Sequence, residues 1–440
     1  MSNTVSLAEI EAKARAGDAR AQYLLSALYS SRGNTQQAKD WLQRSYEAGY
    51  PDALYTVATG YLKGVDGAPD IARAVDQLNL AMTKGSNAAR RVLATLHAMG
   101  LGCPQDWNAA TAALIMAAQL GDGAALRQLG LLVEIASPQH ELAAKLLYLA
   151  ALAGDGLAAF ALARRQAASP RYSNGEFGSW VEILRRRGHP LAQKLSLPPP
   201  ASNQCDLPKA ASDEDWRAAK NLLADPPVGI LPLARQLSAR PAVWTIEGLF
   251  REEECDYVVG LAAPLCKPSK VHDPVTGAPV ASVRRTSGTA TISPVDSDLV
   301  LYCLGLRVAA AAQLPVNNAE MLSVLRYAPG EEYKSHVDYI APSAETAEDL
   351  RANGQRIKTA LVYLNEDYRG GETFFLSAGL KLKGKMGDGA VFSNVDEAGR
   401  PDTSTVHAGL PVTQGVKWLA STWFRAHVVD LANFRPMTSH

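Results

Sequence analysis

The chain has 440 residues, 47% hydrophobic and 20% charged. That is more than one hydrophobic core usually serves, so two or three globular domains are expected. Basic and acidic side chains balance at 44 each, so the basic excess of a nucleic-acid binder is missing and no nucleic-acid partner is expected. No stretch reaches the ~18 uninterrupted apolar residues of a membrane span. The first residues lack the basic and apolar regions of a signal peptide. A cytoplasmic protein without a membrane partner is the expectation. The five cysteines, Cys103, Cys205, Cys255, Cys266 and Cys303, show no Cys-x-x-Cys spacing and read as reduced thiols. A Cys255–Cys266 bridge is suggested only by closeness in sequence.

The first half of the chain repeats. Gly17, Gly49, Gly85, Gly121, Gly154 and Gly188 follow one another at 32 to 36 residues. Four residues after each stands an alanine: Ala21, Ala53, Ala89, Ala125, Ala158 and Ala192. Eight residues after the first five stand Leu25, Val57, Leu93, Leu129 and Leu162. A glycine ends one helix because it accepts the left-handed conformation of a C-terminal cap. The following alanine and apolar residue then lie on one face of the next helix. The period predicts an all-α solenoid of helical hairpins over residues 1–195, with the alanines as close-packing core.

Pro198-Pro199-Pro200 and the small polar residues after it predict a spacer over 196–212, and a short helix follows near Asp213–Leu223. From about Val243 the chain reads as short β-rich runs between Gly, Pro, Asn and Asp. Expected strands are Val243–Ile246, Met321–Tyr327, Lys358–Leu364, Glu372–Phe375, Gly389–Ser393, Thr405–Ala408 and Lys417–Phe424. Expected helices are Glu252–Ala262 and Ser297–Ala311. This second domain, residues 213–440, is expected to be α+β, built around a β-sandwich or jelly roll.

Within it, His336-Val337-Asp338 and His407 offer two imidazoles and one carboxylate, the ligand set of a facial triad for non-haem Fe(II) with open coordination positions. Residues i and i+2 of a strand share a face, so His336 and Asp338 are expected to reach one ion from the start of a strand, with His407 arriving from a distant one. Ten residues on, Lys417 is a cation suited to an acidic co-substrate. Of the remaining histidines, His97, His140, His189, His272 and His427 read as structural or solvated.

The early repeat words, Ala16-Gly17-Asp18-Ala19-Arg20-Ala21 and the turn Gly100-Leu101-Gly102-Cys103-Pro104-Gln105-Asp106, resemble the Sel-one-like family, a relative of the tetratricopeptide repeats. The run from Leu325 to Tyr339 resembles the ferrous-site segment of the prolyl 4-hydroxylase family of 2-oxoglutarate-dependent dioxygenases. Arg356–Asn365, Gly370–Thr373, His407–Val412, Gly415–Trp418, Arg285–Gly288 and Glu320 fit further segments of that family in the correct order. The resemblance implies a double-stranded β-helix. It implies that His336, Asp338 and His407 bind Fe(II), and that Lys417, Tyr327 and Thr373 hold the distal carboxylate of 2-oxoglutarate. Dioxygen would be the oxidant, with ascorbate as a reductant. Tyr333, Arg356 and Trp423 would line a groove for a prolyl peptide, Arg356 by holding a peptide carbonyl.

The implied function is hydroxylation of a prolyl residue in a peptide or protein, with the solenoid as a module that binds a protein partner. The same chemistry on a free amino acid, another side chain or an alkylated nucleobase is an alternative, the last being least favoured by the balanced charge. Another is a scaffold whose oxygenase domain has lost activity.

Overall fold

The computed structural model describes residues 6–168, 182, 185, 186, 192, 210–268, 270–272, 279–281 and 285–431. Gly188, His189, Cys205 and nearly all of the expected spacer lie outside these residues. By compactness the chain divides into Met1–Ala125 and Leu126–His440, well before the boundary expected at 196–212.

The first unit is helical: α1 (Leu7–Arg15), α2 (Ala19–Ser31), α3 (Thr35–Glu47), α4 (Pro51–Lys63), α5 (Ile71–Thr83), α6 (Asn87–Met99) and α7 (Trp107–Gln119). α8 (Gly123–Ala136) begins at its end. The repeat has a local cause. At Gly17 and Gly85 φ is 95° and 101°, a conformation open to glycine without steric cost. After Gly17, Gly85 and Gly121 the next residue caps the next helix with its side chain, whereas Tyr50 after Gly49 makes no such bond. Asp18 accepts a hydrogen bond from the N–H of Ala21 at 2.7 Å, Ser86 from that of Ala89 at 3.2 Å, and Asp122 from that of Ala125 at 2.8 Å. A side-chain acceptor there satisfies an N–H that has no partner inside the helix. The alanine thus has two duties. Its N–H closes the cap, and its methyl, buried in Ala21, Ala53 and Ala89, lets the neighbouring helix approach. Leu25 and Leu93 are buried as the period requires, while Val57 is half-buried.

The second unit begins with helices of the same repeat, the rest of α8, α9 (Glu141–Leu152) and α10 (Gly156–Ala168). They are tied to helices further along the chain. Arg164 on α10 pairs with Asp256 at 2.5 Å and with Glu252, both on α12 (Glu252–Ala262). Lys145 on α9 pairs with Asp215 on α11 (Asp213–Leu222) at 2.5 Å. The side chain of Gln128 accepts from the N–H of Leu299, which opens α13 (Leu299–Ala312). The compact division falls inside the repeat array because its last hairpins are tied to the helices of the β-rich region.

Strands follow in chain order: β1 (Ala234–Ala239), β2 (Ala242–Ile246), β3 (Lys267–Pro268), β4 (Lys270–His272), β5 (Pro279–Ala281), β6 (Gly288–Thr291), β7 (Ser323–Tyr327) and β8 (Tyr333–His336). After α14 (Ala347–Asn353) come β9 (Arg356–Tyr363), β10 (Arg369–Gly370), β11 (Thr373–Phe375), β12 (Leu380–Leu382), β13 (Gly389–Ser393), β14 (His407–Gly409), β15 (Val412–Gln414) and β16 (Lys417–Arg425). A large sheet has the order β1-β2-β13-β9-β16-β7-β6-β3, and a small one β12-β11-β14-β8. All their pairings are antiparallel. Leu325, Leu361, Phe392 and Leu419 from the large sheet share one core with Phe375 and Leu382 from the small one. The two sheets therefore enclose a common interior, as a double-stranded β-helix requires.

The expected strand Gly389–Ser393 and helix Glu252–Ala262 match to the residue. The strand expected from Thr405 starts two residues later, because Thr403–Thr405 winds into a 3-10 turn in which the Asp402 side chain accepts from the N–H of Ser404. Cys103, Cys255, Cys266 and Cys303 are free thiols, so the Cys255–Cys266 bridge is absent. Among the described residues no helix is long and apolar enough to cross a membrane.

Candidate active site

His336 ends β8 and His407 begins β14, and the two residues face each other directly across that antiparallel pair. Their rings lie 4.2 Å apart. Asp338 completes the group: its Oδ1 is 3.6 Å from His336 Nε2 and its Oδ2 3.9 Å from His407 Nε2. One candidate ligand atom from each of the three residues lies within 4.8 Å of the others, which suits a single metal ion. One expectation needs correcting. His336 and Asp338 do not share a face at the start of a strand. The strand ends at His336, and Asp338 sits in the bend beyond it.

The histidines are set for ligation by their own backbone. Nδ1 of His336 lies 2.8 Å from the carbonyl of Lys334, and Nδ1 of His407 lies 3.0 Å from that of Thr405. With the proton on Nδ1, each ring leaves the Nε2 lone pair for a metal. Burial, and then the neighbouring His407, lower the His336 imidazole to about 3, so it is neutral at physiological pH, the form that binds metal. Burial pushes the Asp338 carboxyl up, but His407, His336 and the Thr359 hydroxyl outweigh it and hold it below the usual carboxylate range. Tyr333 stacks on His336 at 3.5 Å and 16°, while Phe375 and Phe392 pack on His407.

His336, Asp338, His407 and Tyr333 line a pocket that also reaches Tyr327, Thr373 and Lys417. Lys417 pairs with Tyr327 across β16 and β7. It is 2% exposed, donates to the carbonyl of Gly371 at 2.7 Å, and lies between the rings of Tyr327 and Tyr363. No carboxylate is within ion-pair distance of it among the described residues. Burial lowers its amine to about 7, with Glu372 offsetting this only in part. A buried amine is costly without an anion, so the end of the pocket is built to receive one. Tyr327, pushed up to about 12 chiefly by burial, stays a hydroxyl donor there. These features fit Fe(II) at the triad and the distal carboxylate of 2-oxoglutarate at Lys417.

Of the expected groove residues, Tyr333 and Trp423 line the pocket and Arg356 does not. The Arg356 guanidinium makes a two-point pair with Glu320, 2.7 Å on each arm, and lies 4.4 Å from the Trp423 ring. Its Nε and Nη2 are held by Glu320, and the residue is not among those that line the pocket. It instead supports Trp423, whose indole N–H has no hydrogen-bond partner.

Arg285 and Tyr363 are functional candidates that lie in the family-like segments but were given no role there. Arg285 lines the pocket and lies over Tyr333. The Tyr363 hydroxyl donates to Thr373 Oγ1 at 3.3 Å. The alternation Thr359, Leu361, Tyr363 along β9 was the available signal for the second.

A family model, the 2OG-Fe(II) oxygenase superfamily, matches residues 322–425. Prolyl 4-hydroxylase 1 of Arabidopsis thaliana is 32% identical over 203 residues, covering 43% of this chain and 70% of that protein. Among solved structures, the viral collagen prolyl hydroxylase of Paramecium Bursaria Chlorella virus-1, in its 2OG complex, is 27% identical with a TM-score of 0.33, over 42% of this chain and 96% of that one. A Sel1 repeat protein of Oxalobacter formigenes is 18% identical with a TM-score of 0.35, over 50% and 99%.

Proposed function

Because the chain belongs to the prolyl 4-hydroxylase family of 2-oxoglutarate- and Fe(II)-dependent dioxygenases, we propose that it hydroxylates a prolyl residue within a peptide or protein, and that its repeat helices bind a protein partner. The observation that carries the reading is the pairing, in one pocket, of a three-ligand metal cluster with a buried lysine that lacks a carboxylate. Bound iron and 2-oxoglutarate supply the oxidising chemistry, in which dioxygen converts a C–H bond to C–OH and 2-oxoglutarate to succinate and carbon dioxide.

The protein's part is placement. His336, Asp338 and His407 would hold the metal, as a three-ligand set suited to an ion with open positions. Lys417 pairs with the distal carboxylate, and the hydroxyls of Tyr327 and Thr373 donate to it, which offsets the desolvation of that anion. Leu325, Leu361 and Leu419 wall the same pocket and keep water from it. The flat faces of Tyr333 and Trp423 suit a prolyl ring.

The test uses the full chain loaded anaerobically with Fe(II). It is given 2-oxoglutarate, oxygen and a panel of proline-containing peptides and free amino acids, and products are read by mass spectrometry. A gain of one oxygen on proline within peptides is expected. Oxygen on another residue, or only on a free amino acid, would keep the chemistry and overturn the prolyl assignment. An equal rate on a protein substrate after disruption of the repeat surface would remove the helices from recognition.

A further inference from the structure

We propose that Thr359 and Asn394 are positioning residues that fix the orientation of the Asp338 carboxylate for the metal. The inference rests on the metal-site reading above.

The three ligands are held in different ways. Each histidine lies on a strand of the small sheet and is locked by a carbonyl two residues upstream. Asp338 lies past the end of β8, in a bend, where no ladder fixes its backbone. Its carboxylate is tied instead to the other sheet. Thr359 Oγ1 donates to Asp338 Oδ2 at 2.7 Å. Thr359 is in the middle of β9, flanked on both sides, with Phe392 of β13 opposite it on one and Trp423 of β16 on the other. It is therefore among the most rigid points available to a loop ligand.

A threonine hydroxyl has one proton and can turn. Here its direction is set from behind, because Asn394 Nδ2 donates to Thr359 Oγ1 at 2.9 Å. The hydroxyl oxygen is thereby an acceptor from Asn394, and its proton is left for Asp338. Asn394 is itself anchored by its backbone: its N–H donates to the carbonyl of Ile357 at 2.8 Å, and its carbonyl accepts from Asp402 at 3.0 Å. Thr359 and Asn394 are both fully buried, and Asn394 Oδ1 has no partner. Turning the amide over would aim that oxygen at the hydroxyl, take its proton, and remove the donor to Asp338. The orphaned oxygen is thus the cost of keeping the relay pointed one way.

The consequence concerns coordination. With Oδ2 engaged by Thr359, the carboxylate is biased to offer a single oxygen to the ion. A carboxylate free to turn both oxygens inward would take a position that co-substrate and oxygen need.

The experiment titrates the metal-free full chain with Co(II), reading its visible absorption and dissociation constant together with the thermal midpoint of the metal-free protein. Thr359→Val should weaken Co(II) binding by roughly tenfold or more, as loss of a partner of a metal ligand does, and change the absorption bands. Thr359→Ser, which keeps the donor, should restore both. Asn394→Ala should shift the bands in the same direction by a smaller amount. Wild-type affinity and bands in Thr359→Val, even with a lowered midpoint, would overturn the inference and leave Thr359 structural. If Thr359→Val does not fold, unchanged bands in Asn394→Ala overturn it equally. Should His336→Ala bind Co(II) as the wild type does, the metal-site reading itself fails, an outcome separate from these.

Discussion

The two compact units differ most in where they put charge. In Met1–Ala125 the buried polar groups among the described residues are neutral: Gln22, Ser26, Ser45, Ser86, Thr95 and Thr111. Leu126–His440 buries Glu254, Arg307, Glu320, Asp338, Arg356, Lys417 and Arg425, among others. Burying a charge costs several kcal/mol unless it is matched, so a unit that only stacks helices has no reason to do it. Most of the buried charges in the second unit are matched by the protein. Arg307 meets Glu254 at 2.6 Å, and Glu320 is shared by Arg356 and Arg425. Lys417 and the His336–Asp338–His407 cluster are different: Lys417 meets no carboxylate among the described residues, and the cluster gathers three candidate metal ligands. The contrast locates the chemistry without reference to any motif.

Four substitutions probe this contrast, from the largest effect to the smallest. His336→Ala removes a metal ligand, and turnover should vanish in the oxygen-incorporation assay while the thermal midpoint of the metal-free protein hardly moves. A variant with retained turnover would show that the cluster is not the reaction centre.

Lys417→Met should separate function from stability. Losing one partner of a buried charge pair costs about 2–5 kcal/mol of binding, so 2-oxoglutarate affinity by calorimetry should fall by roughly 30-fold or more. The ligand-free protein should become as stable or more so, since a buried ion has been replaced by an apolar chain. The pH dependence carries a matching sign. Burial lowers the Lys417 amine to about 7 from its ordinary 10.5. Between those values the unfolded chain binds more protons than the folded one, so this group makes ligand-free stability rise with pH there. Affinity for 2-oxoglutarate should instead fall above about pH 7, because the amine must gain a proton to pair with the carboxylate. Lys417→Met should abolish both slopes, and a persistent slope would assign it to another group.

Glu320→Gln leaves the buried Arg356 without its carboxylate partner, while Arg425 keeps its pair with Asp349. Denaturant unfolding should report a loss of roughly 3–5 kcal/mol, and Trp423, which rests on Arg356, should change its fluorescence. In the first unit, Asp18→Ala removes only a helix cap, worth about 1 kcal/mol. It should lower the stability of the repeats and leave turnover on short peptides unchanged. Loss of peptide turnover in that variant would erase the distinction between the units.

The sequence by itself determined the repeat and much of the barrel. A glycine that ends one helix and a packing alanine four residues on are short-range requirements, so they recur visibly at each period. The strands Lys358–Leu364 and Lys417–Phe424 were legible from their β-branched and aromatic runs, within two residues of β9 and β16. His336, Asp338, His407, Tyr327, Thr373 and Lys417 were legible as a set because the local words around each are distinctive.

Tertiary structure decided what depends on which distant atoms meet. Arg356 carries the same charge whether it faces a substrate or Glu320, and only the crossing of β9 behind Trp423 turns it away from the pocket. Asp338 was read as a strand residue because the spacing allows it, but the strand ends first and Thr359, 21 residues later, does the holding. The division at Ala125 is equally invisible in the repeat, since Ala158 and Leu162 keep the period on the same helix whose Arg164 binds Asp256 and Glu252. Periodicity and local motifs are written in neighbouring residues, whereas a buried hydrogen bond or ion pair depends on partners that only the folded chain brings together.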